Sequence, residues 1–316
     1  MISWFQKKGF KLKISFIVPT YNRAHIVFDT IGSIIKQPYK SKEIIIIDDA
    51  STDNLESLIA NYDCDYLRYF KCNKNRGQNH ARNLGIEKST AEIVTIMDSD
   101  DQDYGNDLTP IVEYLKNNQD ISSVFTPVLS QKNEKILSNI KKCNLPMGFP
   151  QLLDGTCSGE YQPFFRKEKL PKSFYLENLN IKRSCTLLSY FDFFQKEKFT
   201  IIPIITKLYN DVHEERLGNF KKINKDAKEI IECYSQMLSK FEEEISKTNK
   251  EYFNIIIIKI SYYILLSEGR KKSFKYLINL KFHISLLKLL PPIIFFITLG
   301  NQKTIQFRRF LNRLKK

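Results

Sequence analysis

Asp98, Asp100 and Asp101 follow directly on the apolar run Ile93-Val94-Thr95-Ile96-Met97. Three carboxylates so close repel one another, and a cation, a hydrogen-bond network or full solvation has to offset the cost. A hard divalent ion suits them, because Mg2+ or Mn2+ is typically held by one or two carboxylates together with substrate phosphates. Taken alone, the stretch equally fits a solvated turn with Asp98 capping a following helix. The residues upstream give the acidic turn its weight.

Those residues read as strands that alternate with helices. Ile14-Ser-Phe-Ile-Val-Pro-Thr-Tyr-Asn-Arg23 is a buried strand ending in a Pro-bearing loop, with a helical segment near residues 24–35. Glu43-Ile-Ile-Ile-Ile-Asp48-Asp49-Ala-Ser51-Thr52-Asp53 is a second apolar strand that stops at acids and hydroxyls, where Ser51 or Asp53 could cap the next helix. A weaker strand over residues 66–70 leads to Asn73-Lys-Asn-Arg-Gly77-Gln-Asn-His-Ala-Arg82-Asn-Leu-Gly85, and residues 93–97 form another strand. Polar groups gather at each strand-to-helix junction. This is the layout of an α/β protein with a mostly parallel sheet, whose ligands bind beyond the carboxyl ends of the strands.

Four strings carry a resemblance: Val18-Pro19-Thr20-Tyr21-Asn22-Arg23, Asp48-Asp49-Ala50-Ser51-Thr52-Asp53, Asn75-Arg76-Gly77 with Ala81-Arg82-Asn83-Leu84-Gly85, and Asp98-Ser99-Asp100-Asp101. In order and spacing the chain resembles family 2 glycosyltransferases with the GT-A fold, closely over residues 13–130 and more loosely to about 217. The resemblance implies a nucleotide site made of Pro19, Thr20, Tyr21, Asn22, Arg23, Asp49, Arg82, Asp98 and Ser99, with Pro19, Tyr21 and Asp49 around the base. Asp49 would accept from a pyrimidine N3–H, Tyr21 would offer a stacking face, and Arg82 would meet phosphate or the first strand-end acid. Asp98 would contact ribose or metal, and Asp100 would coordinate the Mn2+ or Mg2+ that bridges the diphosphate. Structural readings stand beside these: Tyr21 packing on the sheet edge, Arg82 paired with an Asp as scaffold, Asp53 as an N-cap. The implied reaction is inverting, with an acceptor hydroxyl attacking the anomeric carbon in line, a carboxylate base assisting and no covalent glycosyl-enzyme.

The chain departs from the family pattern where the base is expected. Phe164-Phe165-Arg166-Lys167-Glu168 matches a segment that many relatives follow with a Glu-Asp pair, yet Ile181-Lys-Arg-Ser-Cys-Thr-Leu187 contains no acid. Glu160, in the glycine-flanked loop Ser158-Gly159-Glu160-Tyr161-Gln162-Pro163, is the first substitute, with Glu177 and Asp154 as alternatives. His213 stands where some relatives carry a His that touches metal or phosphate; a surface histidine is the other reading.

The 316 residues can hold one catalytic domain plus an appendage, expected as residues 1–217 and a helical, basic, membrane-associating region over 218–316. Residues 219–250 have helical periodicity, and residues 252–266 form a more apolar helix expected to dock on it. Six cysteines without a C-x-x-C pair or zinc spacing point to reduced thiols in a reducing compartment, and the first thirteen residues lack a signal-peptide core. The formal net charge is +14, and residues 267–316 hold twelve Lys or Arg against one acid, Glu268, so most of the excess lies there. Within that tail, Leu286-Leu-Lys-Leu-Leu-Pro-Pro-Ile-Ile-Phe-Phe-Ile-Thr-Leu299 is too short and broken to span a bilayer, which needs about 20 apolar residues. It reads as an interfacial anchor flanked by basic residues, or as a small core against the catalytic domain; its Ile-Phe runs do not suit nucleic acid.

The expectation is therefore a metal-dependent, inverting transferase of a nucleoside diphosphate sugar, UDP-linked, acting on a saccharide acceptor. The tail and the resemblance suggest a polyprenyl-diphosphate-linked acceptor in bacterial surface polysaccharide synthesis, with the enzyme cytoplasmic and peripheral on the inner face of the plasma membrane, and no nucleic-acid partner. Two rivals stay open. A nucleotidyltransferase also uses strand-end acids, although no early glycine-rich basic loop is present; a nucleotide-sugar-binding relative without catalysis would explain the missing acidic pair.

Overall fold

The structure, a computed structural model, describes residues 12–140, 142–177, 186–212 and 227–278. The chain divides into two compact units, Met1–Val212 and His213–Lys316.

The first unit is built on β1 (Ile14–Thr20), α1 (Val27–Lys36), β2 (Lys42–Asp48), α2 (Leu55–Ala60), β3 (Leu67–Lys71), α3 (Gln78–Lys88) and β4 (Ile93–Ile96). There follow β5 (Gln102–Asp103), α4 (Thr109–Asn117), β6 (Ile121–Ser130), α5 (Phe149–Leu153), β7 (Tyr161–Arg166), α6 (Thr186–Phe194), β8 (Lys198–Ile201) and β9 (Lys207–Tyr209). The strands form one sheet in the order β3-β2-β1-β4-β7-β6-β9-β5, with β8 also on β6. β1 to β4 are mutually parallel. β7 alone in the centre runs backwards, antiparallel to both β4 and β6, and this returns β6 to the direction of β4. The expected mostly parallel α/β sheet is present, and its near-continuous apolar strands follow from burial on both faces.

Alternate residues feed the two faces. Phe16, Val18, Ile44 and Ile46 pack with Val27, Ile31, Leu55 and Ile111 from α1, α2 and α4. Ile17, Ile45 and Ile47 pack with Ala81 and Ile86 of α3 and Phe193 and Phe194 of α6 on the other side. Gly85 lets α3 lie close on β1, since a Cβ there would collide with the Ile17 side chain. At the amino ends of the strands Glu43 is buried and accepts from Ser15 Oγ, Thr90 N (2.7 Å), Thr90 Oγ1 (2.9 Å) and Lys13 Nζ (3.1 Å). Burial works against the Glu43 charge, but these donors outweigh it and hold its pKa down at about 2.

The second unit contains α7 (Ala227–Thr248), α8 (Lys250–Glu268) and α9 (Arg270–Ile278). Ile230, Met237, Phe241 and Ile245 form the buried stripe of α7, and α8 packs on α7 and α9. Asn249 caps α8, its Oδ1 accepting from Tyr252 N at 2.9 Å. Lys259 of α8 donates to the Tyr234 hydroxyl at 2.9 Å, and burial pushes its pKa down to about 8. Among the described residues no helix is long and apolar enough to cross a membrane. Cys64, Cys72, Cys143 and Cys157 are free thiols. Residues 279–316, with the apolar and basic tail, lie outside the described residues.

Candidate active site

The carboxyl ends of β1, β2 and β4 lie side by side, and their loops are tied into one rim. Asn22 takes a left-handed backbone (φ 51°); its N–H donates to Ser51 Oγ at 2.8 Å and its Oδ1 accepts from Thr52 N at 2.8 Å. Asp53 Oδ2 accepts from Ala24 N at 2.9 Å. Ser51 and Asp53 thus join the first two loops, and Asp53 Oδ1 also accepts from Leu55 N at 3.4 Å at the start of α2, close to the helix-capping role expected of one of them. Tyr21 is 45 % exposed on this rim rather than packed on the sheet edge, Pro19 and Thr20 are buried at the end of β1, and Thr20 Oγ1 has no hydrogen-bond partner among the described residues.

Asp49 is buried and links the second loop to the third. Its Oδ1 accepts from Arg76 N at 2.9 Å and its Oδ2 from Gly77 N at 2.7 Å. Gly77 needs its positive φ of 91° to present that amide at the start of α3. Each carboxylate oxygen can accept more than one hydrogen bond, so holding the loop leaves room for a further donor.

Each acid after β4 meets a basic side chain. Asp98 Oδ1 lies 3.0 Å from Arg82 Nη2, Asp100 Oδ2 lies 3.4 Å from Arg23 Nη1, and Asp101 Oδ2 lies 2.9 Å from Lys207 Nζ. The offset that the sequence reading assigned to a divalent ion is thus supplied in part by the protein. The three positions differ in access. Asp101 is buried and also accepts from Asn210 N at 3.0 Å, so it belongs to the scaffold. The Asp98 side chain is 44 % exposed and that of Asp100 is 19 % exposed, while Ser99 between them is buried. Asp98 and Asp100 offer two hard oxygen donors, a set that fits Mg2+ or Mn2+ when substrate phosphates complete the shell. Among the described residues no three metal-ligating side chains gather, and His213 lies outside them.

Arg82 projects from α3, a helix that buries polar residues on its packed face. Its guanidinium stacks over the Tyr175 ring, 5.3 Å to the centroid, and donates to Thr186 Oγ1 at 3.3 Å. Asn79 Nδ2 donates to Leu176 O at 2.7 Å, and Asn83 Nδ2 donates to Tyr175 O at 2.8 Å and to Glu177 Oε1 at 2.9 Å. Glu177 also meets Arg76 Nη2 and His80 Nδ1, each at 3.1 Å. Burial opposes its charge, but Asn83, His80 and Arg76 together lower its pKa. Glu177 is therefore committed to bridging α3, and Asp154 accepts from Thr156 N at 2.7 Å in an exposed turn. Glu160 is exposed just before β7, which starts beside the end of β4, so it stands on the same rim as Asp98.

Lys207, which sequence reasoning did not single out, is paired with the acidic turn. Burial disfavours its charge, but Asp101, Asp98 and Glu160 outweigh that and raise its pKa, so a buried ammonium stands among the strand-end acids. Its local sequence, Ile205-Thr-Lys-Leu-Tyr209, carries no motif. A cavity of about 600 Å3 lies beside Thr90, Glu92 and Arg166 at the amino ends of the strands, and the second unit has one of about 500 Å3 among α7, α8 and α9.

A mostly parallel sheet with Asp49, Asp98 and Asp100 on the loops of its carboxyl rim and Arg82 beside them on α3 has the layout of a glycosyltransferase of the GT-A fold. The chain belongs to glycosyl transferase family 2, whose family profile matches residues 15–172. It is 26 % identical over 280 residues to the GalNAc(5)-diNAcBac-PP-undecaprenol beta-1,3-glucosyltransferase of Campylobacter jejuni, covering 83 % of this chain and 86 % of that protein. Of three uncharacterized Rickettsia glycosyltransferases, 33–38 % identical, it spans only about a fifth of the length. In fold it is similar to Staphylococcus aureus TarS 1–349 in complex with UDP-GlcNAc (TM-score 0.57, 16 % identity, 87 % of this chain and 78 % of that one). It is likewise similar to the mannosyltransferase PcManGT of Pyrobaculum calidifontis in complex with GDP-Man and Mn2+ (TM-score 0.56, 16 % identity, 97 % and 86 %).

Proposed function

We propose that this glycosyltransferase moves a sugar, with inversion, from a UDP-sugar to a saccharide carried on a polyprenyl diphosphate, in bacterial surface polysaccharide synthesis. The observation that carries the reading is the gathering of Asp49, Asp98 and Asp100, from the loops after β2 and β4, with Arg82 of α3 at one rim of the sheet. Asp49 and Tyr21 take the base, with Pro19, Thr20, Asn22 and Arg23 shaping the pocket wall. Asp98, oriented by Arg82, takes the ribose or shares the metal with Asp100. A bound Mn2+ or Mg2+ would supply charge stabilisation for the departing diphosphate. Glu160, exposed on the acceptor side, takes the proton from the attacking hydroxyl. The lipid-linked acceptor is supported by similarity to the Campylobacter enzyme over 83 % of this chain, and UDP by the likeness to the TarS complex. A work site on the cytoplasmic face of the inner membrane follows from such an acceptor and from the basic tail.

Thermal unfolding with UDP-, GDP- and TDP-sugars, each with Mn2+ or EDTA, tests the donor side. A metal-dependent rise in Tm with a UDP-sugar, lost in Asp100→Ala, is expected. No response to any sugar nucleotide would overturn the reading.

A further inference from the structure

Residues 131–140 leave the sheet at the end of β6, and residues 142–147 lead back to α5. Since β6 runs parallel to β8 and β9 and in the direction of β4, this excursion rises from the rim that carries Asp98 and Asp100. Its backbone is fixed on both sides. Leu137 N donates to Val128 O at 2.9 Å, Asn144 N to Ile201 O at 2.8 Å, and Asn139 N to Ser158 O at 2.9 Å. Glu160 N donates to Leu137 O at 3.2 Å. Gly159, at φ 108°, permits this approach, because a Cβ there would collide with the Leu137 carbonyl.

The side chains do not match a solvent-facing loop. Ile136 is 43 %, Ile140 39 % and Leu145 55 % exposed. Eight large hydrophobic residues are exposed among the described ones, and three of them fall in these ten positions, too dense for the usual scatter of single apolar side chains. Lys132, Lys135 and Lys142 are exposed among them, against a single acid, Glu134. Apolar tips interleaved with lysines, on a backbone held in place, match a surface that is apolar just below an anionic layer.

We propose that residues 131–140 and 142–147 are a membrane-contact element. Ile136, Ile140 and Leu145 enter the interface of an anionic bilayer, and Lys132, Lys135 and Lys142 meet its headgroup phosphates. This rests on the reading of a lipid-linked acceptor and adds a consequence: Leu137 and Glu160 share a backbone hydrogen bond, so the element that touches lipid also sets the height of Glu160 above it.

The test uses the full chain with Ile140→Trp in a Trp4→Phe background, Trp4 being the only native tryptophan. A parallel Leu145→Trp variant covers a failure of the first to fold. With phosphatidylglycerol vesicles, a blue shift of emission and quenching by brominated acyl chains are expected, both weak with phosphatidylcholine alone. Lys132→Glu with Lys135→Glu and Lys142→Glu should lower partitioning tenfold or more, since each lysine near an anionic surface contributes about fivefold. Sedimentation with vesicles but no change in emission would assign binding to the tail alone and overturn the proposal. Absence of vesicle binding, or equal quenching in neutral vesicles, would overturn it too. The UDP-sugar effect on Tm is read without lipid, so failure of the donor reading is seen separately.

Discussion

Lys207 Nζ lies 2.9 Å from Asp101 Oδ2, a buried ion pair that joins β9 to the acidic turn after β4 across 106 positions of sequence. The second oxygen of Asp101 accepts from Asn210 N, so one carboxylate fixes both ends of β9 to the turn. Asp98 and Asp100 are thereby held at the rim by a residue that is itself buried.

Breaking that pair leaves a charge buried without its partner, which costs about 3–5 kcal/mol. Lys207→Met is expected to lose stability on that scale, and Asp101→Asn a similar amount. The double variant should lose clearly less than the sum of the two, because neither charge is then stranded. Urea unfolding of the four proteins measures the coupling; strict additivity would mean that the pair does not hold the turn.

Arg82 does three things that only a planar guanidinium combines: it meets Asp98, donates to Thr186 and stacks on Tyr175. Arg82→Lys keeps the charge and loses the stack and one hydrogen bond. Transfer measured as kcat/KM should fall by about 10- to 100-fold, corresponding to roughly 1.4–2.7 kcal/mol of transition-state stabilisation. Wild-type kinetics in Arg82→Lys would reduce Arg82 to a charge near the rim.

The contrast between Arg82 and Lys207 shows what could be read from the sequence. Apolar runs ending in Asp49 and Asp98 announce strands and a ligand rim, because a buried strand needs continuous hydrophobicity and a strand end next to ligand needs polar groups. Asp101 looked equivalent to Asp98 and Asp100, since its partner is far away in sequence and Lys207 sits in an unremarkable strand. Asp49 was legible as a strand-end acid, but its grip on Arg76 and Gly77 was not, because a carboxylate accepting two backbone amides leaves no signature in side-chain types. The reversal of β7 was likewise hidden: β7 has the composition of any buried strand, and its direction is set by connections.

Two buried carboxylates make opposite pH predictions. Glu43 has its pKa held down to about 2 by its donors, so its contribution to stability is complete above pH 4.5 and is lost as pH falls toward 2. Glu43→Gln should cost about 2 kcal/mol near neutrality and much less at pH 3. Its Tm should be correspondingly less sensitive than wild type to acid below pH 4.5. Equal acid sensitivity in the two proteins would remove Glu43 from the account.

Asp103 behaves in the other sense. Burial pushes its pKa up to about 7, while the Gly105 amide and Lys42 oppose that shift only in part. The folded state therefore binds a proton that the unfolded chain has released, and stability from this group falls as pH rises from about 4 to 7. Asp103→Asn keeps an oxygen for Gly105 N, which donates to Oδ1 at 2.8 Å, and cannot ionise. It should flatten the Tm profile between pH 5 and 7.5; an unchanged slope would show that Asp103 does not titrate there.

The choice of base can be settled by comparing Glu160 with Glu177. A general base needs an accessible carboxylate with spare proton affinity near the acceptor. Glu177 has Arg76, His80 and Asn83 on its two oxygens and a lowered pKa, so its proton affinity is already spent on holding α3. Glu160 is exposed on the rim, its backbone N–H bonded to Leu137. Glu160→Gln should lower kcat by about 10²–10⁴ with donor affinity unchanged. Glu177→Gln should instead lower thermal stability and weaken donor binding through the loop that Asp49 and Arg76 share, with a smaller effect on kcat. The reverse pattern, a large kcat loss at Glu177 and near-normal turnover at Glu160, would transfer the role of base to Glu177 and make its three donors a means of positioning it.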